Sequence, residues 1–198
     1  MSSSEAMRLF VAVLLPQAVR DAIARAQERL RGVGADVSWV KPANIHVTVK
    51  FLGDTEEKRL ARIRDALTAA AAGKEAFSAR LAGLGSFGGR VPQVVWAGIT
   101  EGVEPMRRLA EQVDSALASV GFPRERRGFA AHATLGRVRS PRNATDLLAA
   151  IRAEEREAFG AVVVADFALM QSQLNPQGSI YTVLDRFILG GTAAEGRR

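Results

Sequence analysis

Only two histidines occur in this chain of 198 residues, and each has a threonine two positions on: His46 with Thr48 in "HVTV", and His132 with Thr134 in "HATL". Threonine is scarce, eight in 198 residues, so the same neighbour on both histidines points away from chance. Each motif lies in an apolar run that reads as a strand, the first marked by its β-branched density. Side chains alternate across a strand, so His46 shares a face with Thr48, and His132 with Thr134, while Val47, Val49, Ala133 and Leu135 face the other way. Two such strands facing each other offer two imidazoles that titrate near neutrality and two hydroxyl donors. One ring can accept a proton from water while the other donates one to a leaving oxygen, which is what in-line displacement at phosphorus needs. The hydroxyls would hold non-bridging phosphate oxygens. The spacing assigns neither role to either histidine.

The elements around these strands follow from pattern. Arg8 to Leu15 reads as a strand closed by Pro16, and Val19, Ile23, Ala26 and Leu30 recur at helical spacing until Gly32 and Gly34. A short strand near Val37 to Val40 precedes "HVTVKFL". A second helix follows, capped by Asp54 or Thr55, with Leu60, Ile63 and Leu67 as its buried stripe. "FSARLAGLG" and "QVVWAGI" read as strands joined by a glycine-rich loop. Met106, Leu109, Val113, Leu117 and Val120 mark a third helix ending at Gly121. After the second histidine strand, Leu147, Leu148 and Ile151 mark a fourth, and two final strands, about Val162 to Gln171 and Ile180 to Leu189, meet at the turn "NPQG". An H-x-T strand, a helix and two strands thus occur twice. The expected fold is α+β: two lobes related by pseudo-two-fold symmetry, antiparallel sheets flanked by helices, and an active-site cleft between the lobes. The chain, 1–198, is expected to be one domain of two interleaved lobes, with residues 1–6 and 191–198 flexible.

Composition narrows the function classes. With no cysteine, disulfides and thiolate metal sites are excluded. No apolar run approaches the roughly 20 residues that span a bilayer. "MSSSEAMRLFVAVLLP" lacks a basic segment ahead of its apolar run, so it reads as a short leader and a buried strand, and the protein is expected in the cytoplasm as a monomer, without a membrane partner. A formal charge of +6 favours polyanions. Arg124, Arg126, Arg127, Arg137, Arg139 and Arg142 crowd the second histidine with only Glu125 against them. "GLGSFG" matches G-x-G-x-x-G, but "GRVP" leads on into a strand instead of a helix, which argues against a dinucleotide site. Two histidines without carboxylates at ligand spacing fall short of a zinc set, so no metal and no cofactor are expected.

The paired "HVTV" and "HATL" resemble the signature of the 2H phosphoesterases, specifically their RNA 2',3'-cyclic phosphodiesterase members, also called the 2'-5' RNA ligase family. "RLFVAVLLP", "WVKPANIHVTVKFLG", "GLGSFGGRVPQVVWAGI" and "LMQSQLNPQGSIYTVLDRFIL" extend the likeness over nearly the whole chain. Ala131 stands where the family often has proline, and Val49 where leucine is usual. The resemblance implies a metal-independent hydrolase that opens a terminal 2',3'-cyclic phosphate, on RNA ends or nucleotides, to a 2'-phosphate. His46 would be the acid for the departing 3' oxygen and His132 the base for water. Arg137 would contact the phosphate, which requires a twist or bulge at Gly136 because alternation points it away from His132. Phe10 and Tyr181 are candidates for stacking a base, with a core role the commoner one for strand aromatics. Lys50 shares the parity of Thr48 and reads as a solvated lysine at the cleft rim. Slow 2'-5' ligation would follow from reversal of the same steps. Two rivals remain: a nucleotide or RNA-end binding module with the same cleft, and a related enzyme acting on another cyclic phosphate or on 2'-5' linked oligonucleotides.

Overall fold

The computed structural model describes residues 6–175 and 178–190. The expected flexibility of 1–6 and 191–198 lies outside the described residues except at Ala6, which begins the first strand; Pro176 and Gln177 of the "NPQG" turn also lie outside them. Among the described residues, nine strands and four helices follow one another as β1 (Ala6–Leu14), α1 (Gln17–Arg31), β2 (Val37–Trp39), β3 (His46–Glu56), α2 (Leu60–Ala71), β4 (Phe77–Phe87), β5 (Val94–Glu101), α3 (Val103–Ser119), β6 (His132–Val138), α4 (Ala144–Ala153), β7 (Ala158–Val164), β8 (Asp166–Gln173) and β9 (Ile180–Ile188). The strands pair antiparallel in the order β7-β4-β5-β6-β3-β1-β8-β9, with β2 also on β6.

That order divides at its centre. β6, β5, β4 and β7 lie on one side, and β3, β1, β8 and β9 mirror them on the other. The expected two lobes are therefore present, fused into one sheet where the two histidine strands meet at Val47 and Ala133. The apolar stripe of α1, Val19, Ile23, Ala26 and Leu30, is buried as its spacing predicts. It joins Ile63 and Leu67 of α2, Val113 and Leu117 of α3 and Leu147 of α4 in one core with Val11, Val13, Val47 and Ala133 of the sheet. Val47 and Ala133 are fully buried there, which forces His46, Thr48, His132 and Thr134 onto the opposite face. On that face a smaller cluster of Phe10, Ala12, Ala168 and Met170 forms the floor beside His46.

The helices cross over between lobes. α1 leaves β1 yet packs on β7, and α3 leaves β5 yet packs on α2 and β3.

Three local expectations are corrected. Asp54 and Thr55 cap nothing: β3 continues through them, Thr55 pairing with Met7 of β1, and a 3-10 turn at Glu57–Arg59 starts the helix. The run from Val162 to Gln171 is two strands, broken at Ala165 so that β7 pairs with β4 and β8 with β1. Apart from Asp166 the run is apolar and strand-forming on both sides of the break, which hid it. The first strand of the central hairpin runs two residues further than expected, through Ser86 and Phe87, before the chain turns at Gly88 and Gly89.

Candidate active site

The register of the two histidine strands sets the site. Val47 stands opposite Ala133, so one step along the antiparallel pair His46 faces Thr134 and Thr48 faces His132. The local two-fold passes between them. The two histidines occupy diagonal positions on one face, about 7–8 Å apart by the usual spacing of such neighbours, which leaves room for a phosphate.

Each ring is oriented by the backbone behind it. His46 Nδ1 lies 2.7 Å from the carbonyl oxygen of Asn44, and His132 Nδ1 lies 2.7 Å from that of Ala130, in both cases two residues back. A carbonyl only accepts, so Nδ1 carries the proton in each neutral ring and Nε2 holds the lone pair. His46 Nε2 sits 3.0 Å from Thr48 Oγ1, which donates to it when the ring is neutral and accepts from it when the ring is charged. Burial lowers the pKa of His46 below the usual imidazole value, and the bond to Asn44 only partly offsets this. His132 is lowered as well, first by burial and further by the charge of Arg137, against the support of Ala130.

Immediately after each motif the strand bulges at the third residue past the histidine. In β3 the pairing jumps from Ala12–Thr48 to Val11–Lys50, leaving Val49 unpaired; in β6 it jumps from Trp96–Thr134 to Val95–Gly136, leaving Leu135 unpaired. A one-residue slip reverses the facing of everything beyond it. Arg137, opposite Val94, is thereby turned onto the face of Trp96 and Thr134, with the bulge the sequence required one residue earlier than expected. The same slip overturns the reading of Lys50 as a solvated rim residue. Its side chain enters the core face, only 2% exposed, with Nζ 2.5 Å from Asp114 Oδ1 of α3. Phe51 takes the cleft face instead, opposite Phe10, and is 61% exposed.

Aromatic rings wall both histidines. His46 lies against Phe10 at 4.9 Å and edge-on to Tyr181 at 5.4 Å. Phe10 is buried and belongs to the floor, whereas Tyr181 is partly open. His132 meets Phe87 edge-on at 4.9 Å, with Trp96 behind. Trp96 lies across Gly85, where any Cβ would overlap its ring, which is the structural use of that glycine. Sequence reasoning missed Phe51, Phe87 and Trp96; the bulge in β3 hid the first, and Phe87 lies just past the expected end of its strand.

The arginine cluster is dispersed. Arg139 pairs with Asp36 at 2.7 Å and Arg124 donates to Ser115 at 2.8 Å, while Arg137 faces the cleft. Among the described residues no three His, Cys, Asp or Glu side chains converge as metal ligands would. A concavity of about 670 Å³ lies on the other face of the sheet between β4 and α4, lined by Ser86, Arg90, Thr145 and Arg152. It holds neither histidine, and the chemistry argues for the more open cleft.

The LigT like Phosphoesterase profile matches the chain in two consecutive stretches, residues 13–96 and 98–181, with one H-x-T pair in each. An RNA 2',3'-cyclic phosphodiesterase of Methanothermobacter thermautotrophicus is 36% identical, over 92% of this chain and 99% of its own. Among solved structures, TT0787 of Thermus thermophilus is similar with a TM-score of 0.78 and 33% identity, over 93% of this chain and 99% of that one. E. coli LigT follows with 0.76 and 26%, over 95% and 100%. The E. coli protein has also been crystallised with 3'-AMP.

Proposed function

The chain belongs to the LigT-like phosphoesterases, of the 2H superfamily, and on that premise we propose that it hydrolyses terminal 2',3'-cyclic phosphates of RNA to 2'-phosphomonoesters by paired histidine acid and base catalysis. The observation that carries this reading is the matched orientation of the two rings, each with Nδ1 spent on a backbone carbonyl so that Nε2 is the proton-exchanging atom, that of His46 within hydrogen-bond distance of Thr48 Oγ1. His132 Nε2 takes a proton from water as its oxygen attacks phosphorus. The bond to the 3' oxygen breaks, and the protonated Nε2 of His46 supplies the proton that makes the 3' hydroxyl. The proton taken at His132 and the one given at His46 balance over the cycle. Arg137 supports this division of roles, because its charge disfavours protonation of His132 and so favours a base there. Thr48, Thr134 and Arg137 hold the non-bridging oxygens as charge builds up on them. With the hydroxyl of another RNA end in place of water, the same forward steps open the 2',3'-cyclic phosphate onto that hydroxyl, the 3' oxygen again leaving, and give slow 2'-5' ligation; their reversal cleaves the 2'-5' bond and restores the cyclic end.

One chain supplies both histidines from its two lobes, which supports a single-domain, monomeric enzyme; RNA ends or nucleotides with a cyclic phosphate are its proposed substrates, and the cytoplasm its proposed location. The test is release of a 2'-phosphomonoester from an oligonucleotide ending in a 2',3'-cyclic phosphate, with EDTA present. Wild type should turn over, and His46→Ala and His132→Ala should each lose about 10²- to 10⁴-fold, the usual contribution of one acid or base. A folded wild type without turnover would leave the cleft as a binding site.

A further inference from the structure

Two polar side chains, one buried and one partly buried, have no part in that mechanism, and they occupy corresponding places in the two lobes. Gln27 lies on α1, the helix that precedes the His46 strand, and is 1% exposed. Its Nε2 donates to the carbonyl of Val40 at 2.9 Å and to that of Leu135 at 2.8 Å. Val40 belongs to the segment entering β3, while Leu135 is the bulged residue that follows the other motif. Val40 N also donates to Leu135 O, at 2.8 Å. Asp114 lies on α3, the helix that precedes the His132 strand. Its Oδ1 accepts from Glu125 N at 3.1 Å, in the segment entering β6, and from Lys50 Nζ, just past the bulge of the first motif. Lys50 Nζ donates in turn to the carbonyl of Pro123 at 2.9 Å.

Each helix thus ties the entry of its own histidine strand to the bulge of the other. Apolar side chains there would leave the carbonyls of Val40 and Pro123 without these donors, so the polar groups satisfy backbone as well as link the two strands. Resting on the hydrolase reading above, we propose that Gln27 and the Asp114–Lys50 pair are positioning residues: crossed clamps that fix His46 and His132 relative to each other. The entries they hold also carry Asn44 and Ala130, whose carbonyls orient the two rings. Loosening either clamp therefore disturbs both histidines.

A chain with two histidines gives a direct readout. The ring nitrogen signals of the ligand-free protein are followed against pH by NMR and assigned with His46→Ala and His132→Ala, for wild type, Gln27→Met and Asp114→Asn. Each clamp variant should lower both histidine midpoints, because the carbonyl bonds that raise them weaken. kcat should fall about 10- to 100-fold, as expected for misplacement near 1 Å, with KM within about threefold. A role in stability alone would lower the melting temperature and leave the midpoints of the folded protein where they were. Unmoved midpoints, or movement of only the nearer histidine, would overturn the proposal. If Gln27→Met does not fold, Asp114→Asn, which keeps the shape and one acceptor oxygen, decides by the same criteria. The midpoints need no substrate, so this failure is distinct from a failure of the hydrolase reading.

Discussion

His46 and His132 both titrate below the ordinary imidazole value in the free protein, and that direction has kinetic consequences. The kcat/KM profile reports the free enzyme's acid and base, so its maximum should lie on the acid side of pH about 6.5. A bound cyclic phosphate anion favours the charged acid, so the alkaline limb of kcat should lie at higher pH than that of kcat/KM; equal limbs would deny that the phosphate touches the acid. The same shifts act on stability. The folded state prefers the neutral rings, so their contribution is complete above about pH 6.5 and declines as pH falls towards the folded values. Phe51 gives a second prediction. Exposed on the cleft face beside Phe10, it is placed to stack a terminal base. Phe51→Ala should weaken KM for cyclic-phosphate substrates by the 1–3 kcal/mol typical of about one stacked base, with little change in melting temperature. An unchanged KM would return Phe51 to the ordinary exposed apolar residues.

Element by element, regular pattern was legible and broken pattern was not. The H-x-T parity, the buried stripes of α1 and α3 and the doubled element order follow from periods of 2 and 3.6 residues, and the fold has them. The two bulges carry no such signal: Val49 and Leu135 are ordinary strand residues, and only the need to bring Arg137 to the phosphate hinted at one of them. Lys50 was misread for the same reason, since its partner Asp114 lies 64 residues away in sequence. Likewise, the break at Ala165 falls inside a run that is strand-forming on both sides, with only Asp166 to mark it. Gly85 shows an element constraint that can be tested. Gly85→Ala should push Trp96 off β4 and destabilise the protein by about 1–3 kcal/mol, as overpacking does. Tryptophan fluorescence should change with the melting temperature; an unshifted melt would mean that the ring has room to move.

At the scale of the whole molecule, the ion pair between Lys50 and Asp114 joins lobes that otherwise meet at few strand positions. Burial works against the charge on Asp114, but the hydrogen bonds from Lys50 and Glu125 N outweigh it and hold its carboxyl below the usual value. Its contribution is therefore complete above about pH 4 and lost as pH falls through the folded value. Lys50→Met, which strands that carboxylate, should destabilise by about 3–5 kcal/mol in denaturant titrations, and adding Asp114→Leu should recover much of it. A loss of less than about 1 kcal/mol in the single variant would mean that water reaches the pair. The crossing of helices between lobes has a last consequence, for synthesis. The floor beneath His46 needs β8 against β1, so Phe10 and Ala12 wait for Ala168 and Met170, almost the whole length of the chain later. A nascent chain would already display "HVTV" and "HATL" outside the ribosome while the pocket between them was still unmade. The floor beneath His46 is thereby incomplete until the chain is nearly finished.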